Sequence, residues 1–271
     1  MKQLILGRFL GRAAIFLRAK AAIQIAAWRH PELVGTVAND HLAALLITRL
    51  CRTDGTFIDV GAHIGSILSE VQSNLPSVKI VAVEADPQKS RRLSIKFPKV
   101  TVHNVAAGDH DACVSFFVDL HRPGCSSLNR PAETTNAGNE LKVSMRRLDD
   151  LIPSHKDVDV IKMDIEGAEL IALRGSTMIL SEGRPTVMFE SGSLRQESEA
   201  GKRDLWKHLA SNDYVVVVPN RVAHDDDGLS CDGFVESHVY PRRCTNYFAI
   251  ARERRTEIRD LARNVLGIFT G

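Results

Sequence analysis

The 271-residue sequence lacks any Cys-x-x-Cys pair, and its five cysteines (Cys51, Cys113, Cys125, Cys231 and Cys244) are scattered and odd in number. That spacing excludes a zinc site built on paired thiolates and argues against a disulfide framework, so a reducing, cytoplasmic setting is expected. No apolar run approaches the roughly 20 residues of a membrane-spanning helix. There is no internal repeat and no low-complexity tract. Acid is missing from residues 1–31, where Lys2, Arg8, Arg12, Arg18, Lys20 and Arg29 stand and Glu32 is the first carboxylate. Serine is missing there too, which speaks against a transit peptide, and the arginines interrupt every candidate secretory core. Two readings of this basic segment stay open: a packed helix with a solvated edge, or a helix in peripheral contact with the inner membrane. Net charge is only +2 and spread along the chain, so composition gives no electrostatic reason for a nucleic-acid partner.

What is present is ordinary globular material, 44% hydrophobic and 25% charged, in a chain long enough for one large α/β domain. Short apolar runs at 57–60, 79–83, 100–105, 158–163, 186–189, 214–218 and 247–251 are nearly continuous in Val and Ile, as suits strands covered on both faces. Helical stretches fall between them at 64–75, 87–97, 166–181 and 197–211, and this alternation predicts a doubly wound fold. It lapses over 111–150, which reads as an extra hairpin or flap, and over 219–243, which reads as a long loop. The organisation expected is a basic helical segment at 1–50, an α/β domain at 51–255 and a C-terminal tail at 256–271.

The chemistry gathers at strand ends. Phe57-Ile58-Asp59-Val60-Gly61-Ala62-His63-Ile64-Gly65-Ser66 runs from strand through a glycine turn into a helix, the arrangement that lets backbone approach a ligand. Glu84 ends the next strand in Val83-Glu84-Ala85-Asp86-Pro87, where a carboxylate can accept both hydroxyls of a ribose. A dinucleotide fingerprint aligned on Gly61 requires glycines at positions now held by His63 and Ser66, which disfavours nicotinamide. An acid two residues before the first glycine suits a cofactor with a cationic amino-acid end and no pyrophosphate.

These blocks, followed by Asn104-Val105-Ala106-Ala107-Gly108-Asp109, Leu148-Asp149-Asp150-Leu151 and Ile161-Lys162-Met163-Asp164-Ile165-Glu166-Gly167-Ala168-Glu169, resemble the ordered motifs of the FkbM family of methyltransferases over residues 55–218. The resemblance implies a Rossmann-like class I methyltransferase sheet of seven strands, the last antiparallel, with S-adenosylmethionine as cofactor. It places Asp59, Gly61 and Gly65 at the methionine end, Glu84 at the ribose, and Asn104 to Ala107, Ala106 among them, at the adenine rim. His63 departs from the family's usual Asn, a conservative change because both tolerate left-handed backbone.

Asp164 and Glu166 follow the fourth strand and Glu190 ends the fifth, so all three are expected at the carboxyl edge where α/β ligands bind. A hydroxyl nucleophile must lose its proton, and Asp164 is the first choice to accept it. Glu190 is the second edge acid, and Glu166 is expected to stabilise the following helix rather than to act in chemistry. A divalent metal on Asp164 and Glu190 is conceivable, yet no spaced His supports it. The expected activity is O-methylation of a small-molecule or glycoconjugate acceptor, preferably a sugar of a bacterial glycan, lipo-oligosaccharide (a nodulation-type signal included) or glycosylated natural product. N-methylation and a non-catalytic binding module are the rivals.

Overall fold

The computed structural model describes residues 21–118, 139–193 and 197–268. Residues 21–29 are helical, and the part of the basic segment at 1–20 lies outside the described residues. The elements that follow are α1 (Val34–Ile47), β1 (Thr56–Val60), α2 (Ser66–Asn74), β2 (Lys79–Val83), α3 (Pro87–Lys96), β3 (Thr101–His103), β4 (Ala106–Ala107), β5 (Ala112–Val118) and β6 (Asn139–Arg146). The second half holds α4 (Leu148–Leu151), β7 (Val158–Met163), α5 (Glu169–Arg174), β8 (Thr186–Glu190), α6 (Glu199–Ser211), β9 (Tyr214–Val217), α7 (Cys231–Glu236), β10 (Asn246–Ala251) and α8 (Arg255–Leu266).

Seven strands form one sheet in the order β3-β2-β1-β7-β8-β10-β9. All neighbours are parallel except β10, which is inserted antiparallel between β8 and β9. The seven-stranded class I arrangement expected from the motifs is therefore present. Side chains alternate in direction along each strand and split the core in two. Phe57, Val160 and Phe248 face Leu46 and Ile47 of α1, Leu68 of α2, Leu93 of α3 and Ile258 of α8. Ile58, Ile161 and Phe189 face Leu173 of α5, Leu205 and Leu209 of α6 and Phe234 of α7. With both faces covered, every residue of β1 and β7 is buried.

The lapse after 111 is a hairpin, as expected: β5 pairs antiparallel with β6 in a small sheet ordered β4-β6-β5. Residues 119–138, between its two strands, lie outside the described residues. Two expectations need correcting. The long loop at 219–243 contains α7, whose first turn is capped by the Ser230 side chain accepting from the Gly233 amide at 3.1 Å. The stretch expected as a tail is α8, which buries Ile258 and Ala262 against the sheet. Helix α1 is likewise tied to the domain, because Asp40 accepts from the Thr245 and Asn246 amides at the start of β10, at 2.7 and 3.2 Å. A boundary at residue 50 thus falls inside one packed unit. Among the described residues, no helix is long and apolar enough to cross a membrane.

Candidate active site

The parallel strands β1, β2, β7 and β8 bring their carboxyl ends together, and a cavity of about 370 Å³ opens above them. Its floor is the turn after β1. Gly61 sits at φ +78°, and a Cβ added there would come within 2.0 Å of the Asp164 carbonyl oxygen, so the close approach of the β1 and β7 turns requires glycine. The Gly61 and Ala62 amides both donate to the Val83 carbonyl, at 2.9 and 3.3 Å. His63 then adopts φ +50°, and its amide donates to Glu84 Oε2 at 2.7 Å.

Glu84 is buried at the edge of the cavity and also accepts the Asp86 amide on Oε1 at 2.9 Å. A carboxylate has about four lone-pair sites, so one site on each oxygen stays available for a neighbouring pair of hydroxyls. Burial raises its pKa, against the pull of the two amides. Beyond Glu84 the wall turns apolar, with Val105, Ala106, Ala107 and Phe116, which suits a flat base. A diol acceptor beside an apolar slot fits the adenosine portion of S-adenosylmethionine.

The opposite wall is acidic. Asp164, Glu166 and Glu190 each present a carboxylate oxygen within 4.8 Å of the others, close enough to share a proton or a cation. Behind them lies Lys162, whose Nζ donates to the Gly61 carbonyl at 2.9 Å and stands 3.1 Å from Asp59 Oδ1 and 3.7 Å from Asp164 Oδ2. Burial opposes a charge on Lys162, but Asp59, Asp164 and Glu190 outweigh it and hold the ammonium protonated. Burial also works against ionised Asp164, yet Lys162 and a hydrogen bond from Glu190 keep its carboxyl below the ordinary range. Glu190 goes the other way, pushed up to about 10 by burial and then by the Asp164 charge beside it. At neutral pH the pair therefore shares one proton, carried by Glu190 and donated to Asp164.

Two buried groups hold these acids in place. Glu169, in the first turn of α5, accepts the Ile165 and Gly167 amides at 3.0 Å each and so clasps the turn bearing Asp164 and Glu166, the latter at φ +54°. After Glu190, Ser191 Oγ accepts from buried Lys202 at 2.9 Å and meets His238 Nε2 at 2.9 Å. His238 Nδ1 is 2.7 Å from the Phe234 carbonyl, an acceptor only, so Nε2 takes the serine proton. Burial drives the His238 pKa down to about 4, as that neutral tautomer requires.

Of the residues expected from the sequence, Gly61, His63, Glu84, Ala106, Asp164 and Glu190 line one cavity. Asp59, Gly65 and Asn104 do not. Asp59 is 1% exposed and faces Lys162, and apart from that ion pair no polar group among the described residues satisfies its oxygens. Gly65 caps α2 at φ +75°, where a Cβ would lie 2.3 Å from the Phe97 ring, so the packing of this turn requires glycine. Asn104 Nδ2 donates to the Glu84 and Ala85 carbonyls at 2.9 and 3.1 Å and braces the turn behind the ribose position. Lys162 and Glu169 are not among the residues that the sequence singles out. A lone lysine inside the apolar run 158–163, two residues before Asp164, is the signal the sequence carries for Lys162.

Residues 59–216, more than half of the chain, match the family model described as the methyltransferase FkbM domain. Methyltransferase 1 of Beauveria bassiana (strain ARSEF 2860) is 28% identical over 146 residues, covering 45% of this chain and 58% of that protein. The crystal structure of methyltransferase FkbM from Methylobacillus flagellatus KT aligns with a TM-score of 0.49 at 21% identity, over 88% of this chain and 60% of that one. Aeropyrum pernix fibrillarin in complex with S-adenosyl-L-methionine aligns with a TM-score of 0.43 at 16% identity, over 79% of this chain and 74% of that one. The chain thus spans less than two thirds of the first two proteins' length.

Proposed function

Because this chain belongs to the methyltransferase FkbM family, we propose that it moves a methyl group from S-adenosylmethionine to a hydroxyl oxygen, with a sugar as the preferred acceptor. The observation that carries the choice of oxygen is Asp164, an ionised carboxylate at the wall of the cavity, oriented by Lys162 and Glu190. When bound, S-adenosylmethionine supplies an electrophilic methyl on a sulfonium. Gly61 gives backbone access beside the methionine end, Glu84 offers its free lone pairs to the ribose, and Val105 to Ala107 with Phe116 flank the base. Asp164 accepts a hydrogen bond from the acceptor hydroxyl and aims its oxygen. As the new C–O bond forms and the C–S bond breaks, the hydroxyl proton passes to Asp164. With its pKa held low, Asp164 is a ready anion and a weak base, so orientation carries much of the effect. The sugar class rests on the family resemblance. A peripheral membrane contact belongs to the same reading, supported by exposed Ile25 and Trp28 within the basic segment.

The test is a screen of sugar acceptors with purified protein and cofactor, read by mass spectrometry as the gain of one methyl group. Asp164→Asn is expected to keep cofactor affinity and lose about a hundred- to ten-thousandfold in turnover, the usual range for a lost general base. Near-normal turnover in that variant, or a methyl group found on nitrogen, overturns the proposal.

A further inference from the structure

Beside the cofactor cavity lies a second one of about 210 Å³, walled by His63, Lys89, Arg92 and Lys96 over a floor that includes Ile64 and Leu93. His63 and Lys89 line the first cavity as well, so the two spaces share a wall. Lys89, Arg92 and Lys96 are spaced three and four residues apart, which puts all three cations on one side of α3. No acid is among the described residues that line this cavity. Asp86 answers Lys89 at 3.6 Å. Lys96 is spent on the Ile64 carbonyl at 3.3 Å and the face of Phe97 at 4.7 Å, neither of which cancels its charge. Arg92 is exposed and forms no ion pair among the described residues.

A helix that serves only to cover the sheet gains nothing from this pattern. Like charges three and four residues apart repel, and Lys89 stands in the first turn, where the helix dipole favours an anion. The arrangement makes sense when a strong anion bridges the cations. A phosphate brings up to two charges and three acceptor oxygens, enough to meet an arginine fork and a neighbouring lysine together, whereas a carboxylate brings one charge and two oxygens. The position is equally specific. His63 separates this cavity from the acidic wall, and its electrostatic influence reaches Asp164.

We propose that the second cavity binds a phosphate group carried by the methyl acceptor, which then extends past His63 to set its hydroxyl at Asp164. The proposal rests on the functional reading above for the role of the first cavity, and it narrows the acceptor to a phosphorylated sugar or a sugar linked through phosphate.

Inorganic pyrophosphate is the probe, titrated calorimetrically at low ionic strength into the full chain with and without S-adenosylhomocysteine. Saturable binding to the wild type is expected, weakened at least tenfold in Arg92→Gln and further in Arg92→Gln/Lys96→Gln, with S-adenosylhomocysteine affinity unchanged in both. Vesicles of phosphatidylglycerol and phosphatidylcholine form the second arm. Vesicle binding lost in the double variant supports the site with a lipid-borne phosphate as its source, and pyrophosphate binding without vesicle binding supports a soluble one. No pyrophosphate binding to the wild type, or equal binding to the variants, overturns the proposal. A wild type that binds pyrophosphate through Arg92 but not S-adenosylhomocysteine overturns the methyltransferase reading instead.

Discussion

Replacing Glu190 by glutamine should make the protein more stable at neutral pH, and increasingly so as the pH rises. The sign follows from the proton that Glu190 holds. Its carboxyl is pushed from 4.5 to about 10, so between those values the folded protein carries a proton that the unfolded chain has released. Stability conferred through this group is complete below the unfolded value and is lost steadily as pH climbs toward the folded one. At roughly 1.4 kcal/mol per pH unit, the penalty at pH 7 has a ceiling of about 3 kcal/mol. A glutamine side chain does not titrate, it matches the size of the acid, and its amide donates to Asp164 as the protonated carboxyl does. Glu190→Gln therefore removes the penalty without removing the hydrogen bond. For a chain of this length 1 kcal/mol moves the melting temperature by about 2–4 °C, so a gain of several degrees is expected at neutral pH, shrinking to nothing near pH 4.5. Thermal unfolding of both proteins across that range, with chelator present so that no divalent cation substitutes for the proton, measures it. Asp164→Asn supplies an internal control, since removing the neighbouring charge lets the Glu190 pKa fall and flattens the wild-type slope. A pH-independent difference, or a Glu190→Gln variant less stable than the wild type at pH 8, would refute the shared-proton account.

Lys162→Met should destabilise the protein by about 3–5 kcal/mol in denaturant unfolding, because it strands the buried Asp59 carboxylate without its counter-charge. Adding Asp59→Leu should restore much of the loss, and a Lys162→Met variant as stable as the wild type would show the ion pair to be dispensable. Glu84→Ala should weaken S-adenosylhomocysteine binding by about ten- to a hundredfold in calorimetry, the loss of a charged hydrogen-bonding partner worth about 1.5–3 kcal/mol. An unchanged dissociation constant would leave Glu84 only the two amides it now accepts.

Much of this fold is written in local pattern. Parallel strands covered on both faces announce themselves as apolar runs, and β1, β2, β7 and β8 lie where those runs lie. Charge concealed α8: Ile258, Leu261, Ala262 and Val265 have the spacing of a buried helix face, but Arg255, Glu257, Arg259, Asp260 and Arg263 are interleaved with them. Helix α7, six residues long, is too short to show a period. The site divides along a similar line. That Glu84, Asp164 and Glu190 end strands is visible in the sequence, and strand ends meet at one edge. Where Asp59 points depends on register, which sets it opposite Lys162 of β7, and register is a property of two segments rather than of either alone. The same holds for the Glu190 proton, which depends on burial and on Asp164 being brought beside it where β8 lies next to β7.

If methyl transfer is the reaction proposed above, the ion pair between β1 and β7 also bears on how a relative could lose it. Asp59 and Lys162 serve the architecture whether or not chemistry occurs above them, whereas Asp164 and Glu190 keep a buried carboxyl protonated at a cost that architecture alone does not reward. A descendant released from methyl transfer would be under pressure to keep the first pair and free to shed the second. On the proposed mechanism, the acids at the ends of β7 and β8 are the ones a working relative would have to keep.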